Sequence, residues 1–119
     1  MNNNVLIPPC IESAIKAAND HDSARFLSNF GEAAVLTDEG QEYLGIEAIK
    51  KWSDEKLIGA NVTFKITDVT NSADVSIVTA EVDGDFDKTG LPDPFLMAMH
   101  FVTAGSKIER LTFRLPEEY

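Results

Sequence analysis

The chain has 119 residues, 44% of them hydrophobic, with 10 basic and 20 acidic residues and a formal net charge of −10. That length and apolar fraction suit one globular domain with a core of its own and exclude a disordered chain. The acidity is even, ten acids and five bases in residues 1–59 and the same again in residues 60–119, so there is no basic patch for nucleic acid or for an anionic membrane.

Cys10 is the single cysteine, which rules out an intrachain disulfide and fits a reducing compartment. Met1-Asn2-Asn3-Asn4 carries no basic residue, and the apolar run Val5-Leu6-Ile7 halts at Pro8-Pro9. This does not read as a signal peptide. A bilayer-spanning run of about 20 apolar residues does not occur. The expectation is a cytoplasmic protein.

Pro8-Pro9 opens a first helix, because a missing N–H is harmless in a first turn. Ile11, Ala14, Ile15 and Ala18 follow at helical spacing, and the helix ends near Asn19-Asp20-His21. Asp22 is a good N-cap for a short second helix bearing Phe26, Leu27 and Phe30, with Gly31 as its stop. Ala33 to Leu36 reads as a strand and Thr37-Asp38-Glu39-Gly40 as its end or a turn. Gln41 to Leu44 predicts a second short strand. Gly45 then precedes a third helix with Ile46, Ile49 and Trp52 inward, closed by Gly59.

From Asn61 the apolar period becomes two: Val62, Phe64 and Ile66 alternate with polar residues. Asn71-Ser72-Ala73-Asp74 supplies turn chemistry. The strand from Val75 to about Asp83 shifts apolar parity midway, which marks either a bulge or burial on both faces. A loop rich in Asp, Gly and Pro runs from Gly84 to Pro94. Phe95 to Thr103 is the most apolar strand, Ala104-Gly105-Ser106 turns the chain, and Lys107 to Arg114 is the last strand. Helices first and a run of antiparallel strands last predict a single α+β domain over residues 1–119, with three helices laid on one face of a strongly curved antiparallel sheet.

Three stretches resemble the SnoaL-like branch of the nuclear-transport-factor-2-like superfamily. They are Asn19-Asp20-His21-Asp22 leading through Phe26 to Phe30 and on to Val35, then Gly45 to Ile49 with Trp52, and Val82 to Phe86 with Phe101 and Gly105 to Leu111. The resemblance implies a cone-shaped α+β barrel like that of ketosteroid isomerases and polyketide cyclases, with a pocket open at one end and a convex sheet face that often forms a homodimer. That superfamily contains isomerases, cyclases, dehydratases, binding modules and association domains, so fold alone does not assign an activity.

Asp38 is the candidate catalytic residue. The resemblance puts it where ketosteroid isomerase-like members hold a carboxylate base, which moves a proton next to a carbonyl while two donors stabilise the enolate. The donor positions fall on Ala14 and Met99, which cannot donate. The competing reading of Asp38 is a turn residue bonded to nearby backbone. On the Phe95–Thr103 strand, Phe95, Met97, Met99 and Phe101 share one face, and His100 lies on the other. The resemblance turns the Met and Phe face toward the pocket and so implies His100 on the convex side; His21 is expected in a solvated turn. Phe30, Tyr43, Trp52, Met97, Met99, Phe101, Leu111 and Phe113 are the candidate pocket set, with ordinary core packing as the competing reading.

Asp85 to Gly90 matches half a calcium loop, but Leu96 stands where a bidentate Glu is needed, so an acidic solvated loop is favoured. Two histidines and one cysteine far apart match no transition-metal spacing, and no phosphate-cradling glycine motif marks a cofactor. The sequence therefore predicts a binder of an unknown apolar small molecule, without cofactor or metal and homodimeric through the convex sheet. One alternative is an isomerase, cyclase or lyase using Asp38 as general base. The other is a pure association module with no cavity.

Overall fold

The computed structural model describes residues 7–116. The expectations drawn from Met1 to Leu6 lie outside them. In chain order the elements are α1 (Pro9–Asn19), α2 (Ser23–Leu27), β1 (Phe30–Asp38), β2 (Gln41–Leu44), α3 (Ile46–Trp52), β3 (Thr63–Ser72), β4 (Val75–Asp83), β5 (Leu96–Ala104) and β6 (Lys107–Arg114). A π-helical stretch, Ser53–Ile58, continues α3. The expected α+β class holds.

Pro9 sits in the first turn of α1, and Cys10, Ile11, Ala14, Ile15, Ala17 and Ala18 form its buried stripe. The alanines bring the helix close to the sheet. Asn19 ties its end down: its Nδ2 donates to the Phe64 carbonyl (3.0 Å) and its Oδ1 accepts from the Phe64 N–H (2.7 Å). Asp22 caps α2 by accepting from the Arg25 N–H at 3.1 Å. The helix stops at Leu27, earlier than Gly31 suggested. Phe30 and Gly31 instead begin β1, since the core takes the Phe30 ring from a strand as readily as from a helix.

The six strands form one sheet in the order β2-β1-β6-β5-β4-β3. It is mixed: β1 and β6 run parallel and the remaining neighbours antiparallel. The sheet does not close, because β2 and β3 remain as edges. Extra residues in β1, β3 and β6, where the register with the neighbouring strand shifts, increase twist and bend the sheet around the helices. The parity shift in β4 comes from burial on both faces. Ser76, Val78, Thr79 and Ala80 are all buried, while the extra residue lies in β3 between Ile66 and Asp68. β3 also runs on through Ser72, so only Ala73-Asp74 turns.

The core lies between helices and sheet. Ile11, Leu36, Ile49, Met99, Phe101, Ile108 and Leu111 are essentially inaccessible, and each such side chain is worth about 1.5–3 kcal/mol relative to exposure. No helix among the described residues is long and apolar enough to cross a membrane.

Candidate functional site

The concave face is packed solid at one end and hollow at the other. Strand register explains the division. Val78, Met99, Phe101 and Leu111 are neighbours in one region of the concave face, where buried residues of α1 and α2 join them in one core cluster. Further along the inward residues are Phe64, Val82 and Met97, with Phe113, the cross-strand partner of Met99, at the boundary, and a cavity of about 420 Å³ opens beside them. That volume falls in the range of roughly 300–1,000 Å³ typical of small-molecule sites.

Asp38 reaches this cavity through strand geometry. Ala34 and Leu36 are buried on the inner face of β1, and Asp38 is next at period two. It is the last residue before a two-residue hairpin turn, Glu39-Gly40, with φ of 53° and 78°. Two positive φ values match the twist of the flanking strands. The Asp38 carboxylate is half-buried and its Oδ2 accepts from the Trp52 indole Nε1–H at 3.0 Å. Burial raises its pKa above the ordinary aspartate value. The Trp52 hydrogen bond pulls it back, the charge of Glu39 adds to the rise, and Lys56 opposes it.

Trp52 ends the regular part of α3, and the wider π turn that follows places Lys56 and Leu57 on the same wall. Such turns recur at functional sites because they re-aim side chains inside a helix. The Trp52 ring lies 5.5 Å from Phe113, which is 6.3 Å from Phe64. Across the cavity, the loop between β4 and β5 contributes Phe86, Asp87, Leu91 and Phe95, with the Phe86 and Phe95 rings 6.2 Å apart.

Of the residues predicted from sequence, Asp38, Trp52, Met97 and Phe113 come together at the cavity. Phe30, Met99, Phe101 and Leu111 do not; they belong to the solid core, because the helices fill the cone above them. Tyr43 lies 6.4 Å from the Trp52 ring and lines a separate depression with Gln41 and Ala48. Sequence reasoning missed Glu39, Lys56, Leu57, Val62, Phe64 and Val82, as well as the apolar loop residues. The alternation Val62, Phe64 was a usable signal. So was the presence of Phe86, Leu91 and Phe95 in an otherwise acidic, Gly- and Pro-rich loop, since three large apolar side chains there need something to cover.

Ala14 and Met99, at the positions of the family's donors, are both buried and offer no hydrogen bond. His100 is on the convex face, where burial lowers its pKa. His21 is exposed in the turn before α2. Cys10 is buried as a free thiol, and burial raises its pKa and favours the neutral form. The loop aspartates have local partners: Asp83 pairs with Lys88, Asp85 accepts from Asn61 Nδ2 at 2.7 Å, and Asp87 accepts from the Thr89 N–H at 2.9 Å. Among the described residues no group of three or more His, Cys, Asp or Glu is arranged to hold a metal.

An open, curved α+β sheet with three helices over its inner face and a one-ended cavity defines a cone-like domain of the cystatin-like kind. The model of the SnoaL-like domain matches residues 11–111, and the chain belongs to that family. It is similar in structure to a proposed polyketide cyclase from Sinorhizobium meliloti, with a TM-score of 0.82 and 24% identity over 91% of this chain and 95% of that one. A protein of ketosteroid isomerase-like fold from Catenulispora acidiphila, solved in complex with trimethylamine, gives 0.72 and 23% over 91% and 85%. A Mycobacterium tuberculosis protein solved in complex with estradiol-17β-hemisuccinate gives 0.73 and 14% over 88% and 89%. Among curated proteins, none matches the chain in sequence.

Proposed function

We propose that this chain takes up a small, largely apolar molecule in the cavity and orients it with Asp38. One observation carries the reading: a half-buried carboxylate, held by the Trp52 indole, opens onto a space walled by Leu57, Phe64, Met97 and Phe113. Apolar walls supply affinity, and one placed polar group supplies orientation. The ligands of the two neighbours, a steroid ester and a small amine, show that this fold accepts varied chemistry. The cavity also weighs against a pure association module.

A second reading, catalysis with Asp38 as general base, is favoured by its raised pKa, which strengthens a carboxylate as a proton acceptor near neutral pH. The donor positions Ala14 and Met99 argue against a steroid-isomerase mechanism, since losing one oxyanion donor costs about 100- to 1,000-fold. Trp52 is the only tryptophan and lines the cavity, so its fluorescence reports occupancy. Titration with steroids, aromatic acids and amines should change its emission saturably, and Val82→Phe, which narrows the space without adding a second tryptophan, should weaken or abolish the response. No saturable response to any class would end the binding reading. For a turned-over ligand, unchanged kcat in Asp38→Asn would end the catalytic one.

We further propose self-association through the convex face, where Val35, Ile77, Leu96 and Val102 stand half-buried opposite the helices. Sedimentation at micromolar concentration should show a dimer; a monomer would refute it.

A further inference from the structure

We propose that the ligand of this cavity is an organic ammonium ion, quaternary or protonated, carried on an apolar body. The inference rests on the small-molecule reading above and adds the sign of the ligand's charge. Four features converge on it.

The walls are aromatic on both sides. Trp52, Phe113 and Phe64 form a run of rings at 5.5 and 6.3 Å, and Phe86 and Phe95 stand on the loop side. Ring faces carry partial negative charge and attract cations, tryptophan most strongly. The Phe86 ring already accepts an ammonium of this chain, since Lys88 Nζ lies 5.5 Å from its centroid.

The charged lining is unbalanced. Asp38, Glu39 and Asp87 face one cationic side chain, Lys56. The chain as a whole carries −10, which draws cations toward the mouth and repels anions.

Asp38 makes no ion pair among the described residues: its carboxylate accepts from the neutral Trp52 indole, and the charge of Lys56 acts on it without a direct contact. A neutral ligand without a donor would strip more water from this carboxylate and give nothing back, and an anionic ligand would be worse. A cation supplies the missing counter-charge where a low dielectric makes it most effective.

Glu39 occupies a left-handed backbone position, φ 53°, at the first central residue of a two-residue hairpin turn. Asn, Asp and Gly are the residues suited to that position. Glutamate gains no turn stability there. What it does add is a second carboxylate on the cavity wall beside Asp38.

The test compares benzyltrimethylammonium with neopentylbenzene, the same shape with a quaternary carbon replacing the nitrogen, by Trp52 fluorescence at neutral pH and low salt. The ammonium should bind about tenfold or more tightly than its neutral isostere, and added salt should narrow the gap. Asp38→Asn should erase most of the preference, by weakening benzyltrimethylammonium and, with no charge left to desolvate, by binding neopentylbenzene as tightly as before or more tightly. Glu39→Asn should reduce the preference several-fold without lowering thermal stability, because asparagine suits the turn better. Equal or tighter binding of the neutral isostere would overturn the charge inference and leave the apolar-pocket reading standing. Failure of both compounds to perturb Trp52 would overturn the two together.

Discussion

Asp38→Asn should make this protein more stable at neutral pH. Because burial dominates the environment of Asp38, its folded-state pKa lies above the value of about 3.9 expected in the unfolded chain. Folding then takes up a proton between the two values. The stability contributed by this carboxyl is full below about pH 3.9 and is lost as pH rises through the folded-state value. Each unit of elevation withholds about 1.4 kcal/mol at higher pH. The carboxyl is only half-buried and stays partly screened by water, which trims the effect. Asparagine keeps the shape and an acceptor for the Trp52 N–H but has no charge to desolvate. The expected gain is on the order of 1 kcal/mol at neutral pH, or roughly 4 °C in Tm for a chain of this length. Urea unfolding followed by Trp52 fluorescence across a pH series would show a gap that closes toward acid pH. A variant less stable at neutral pH, by a margin indifferent to pH, would refute the argument and make Asp38 a structural acceptor for the indole.

Asn19→Ala removes two hydrogen bonds and leaves the Phe64 N–H and carbonyl unpaired; it should cost about 1–3 kcal/mol by urea midpoint. Ala73 turns the β3–β4 hairpin with φ 53°, so Ala73→Gly should raise stability by about 1 kcal/mol in thermal unfolding despite glycine's entropy cost. Ser53 is fully buried, and its hydroxyl has no hydrogen-bond partner among the described residues. Ser53→Ala should therefore be neutral or stabilising, and a loss beyond about 1 kcal/mol would show that the hydroxyl is satisfied after all.

Local chemistry made much of the fold legible. Prolines and the Asp22 cap set two helix starts, and apolar runs bounded by turn residues set five strands near their observed limits. The bounds of β2 and β6 match the expected ones. The interest of Asp38 came from the family resemblance, whereas its inward facing came from the structure, which continues the strand past Leu36 and sets Asp38 two steps on along the inner face. The parallel pairing of β1 with β6 was not legible, because alternation records which face a residue takes and says nothing of strand direction. Nor did the pattern reveal the π turn after Trp52, which side-chain periodicity over one turn does not encode.

Sequence by itself determined which side chains point into the cone: the period of apolar residues decides facing, and facing follows from backbone geometry alone. Only the tertiary structure decided which inward residues meet empty space. Met97 and Met99 share a strand face, yet one lines the cavity and the other is sealed in the core. The difference lies in where the helices and the β4–β5 loop come to rest above them. That is a matter of long-range packing, which neighbouring residues in the chain do not specify.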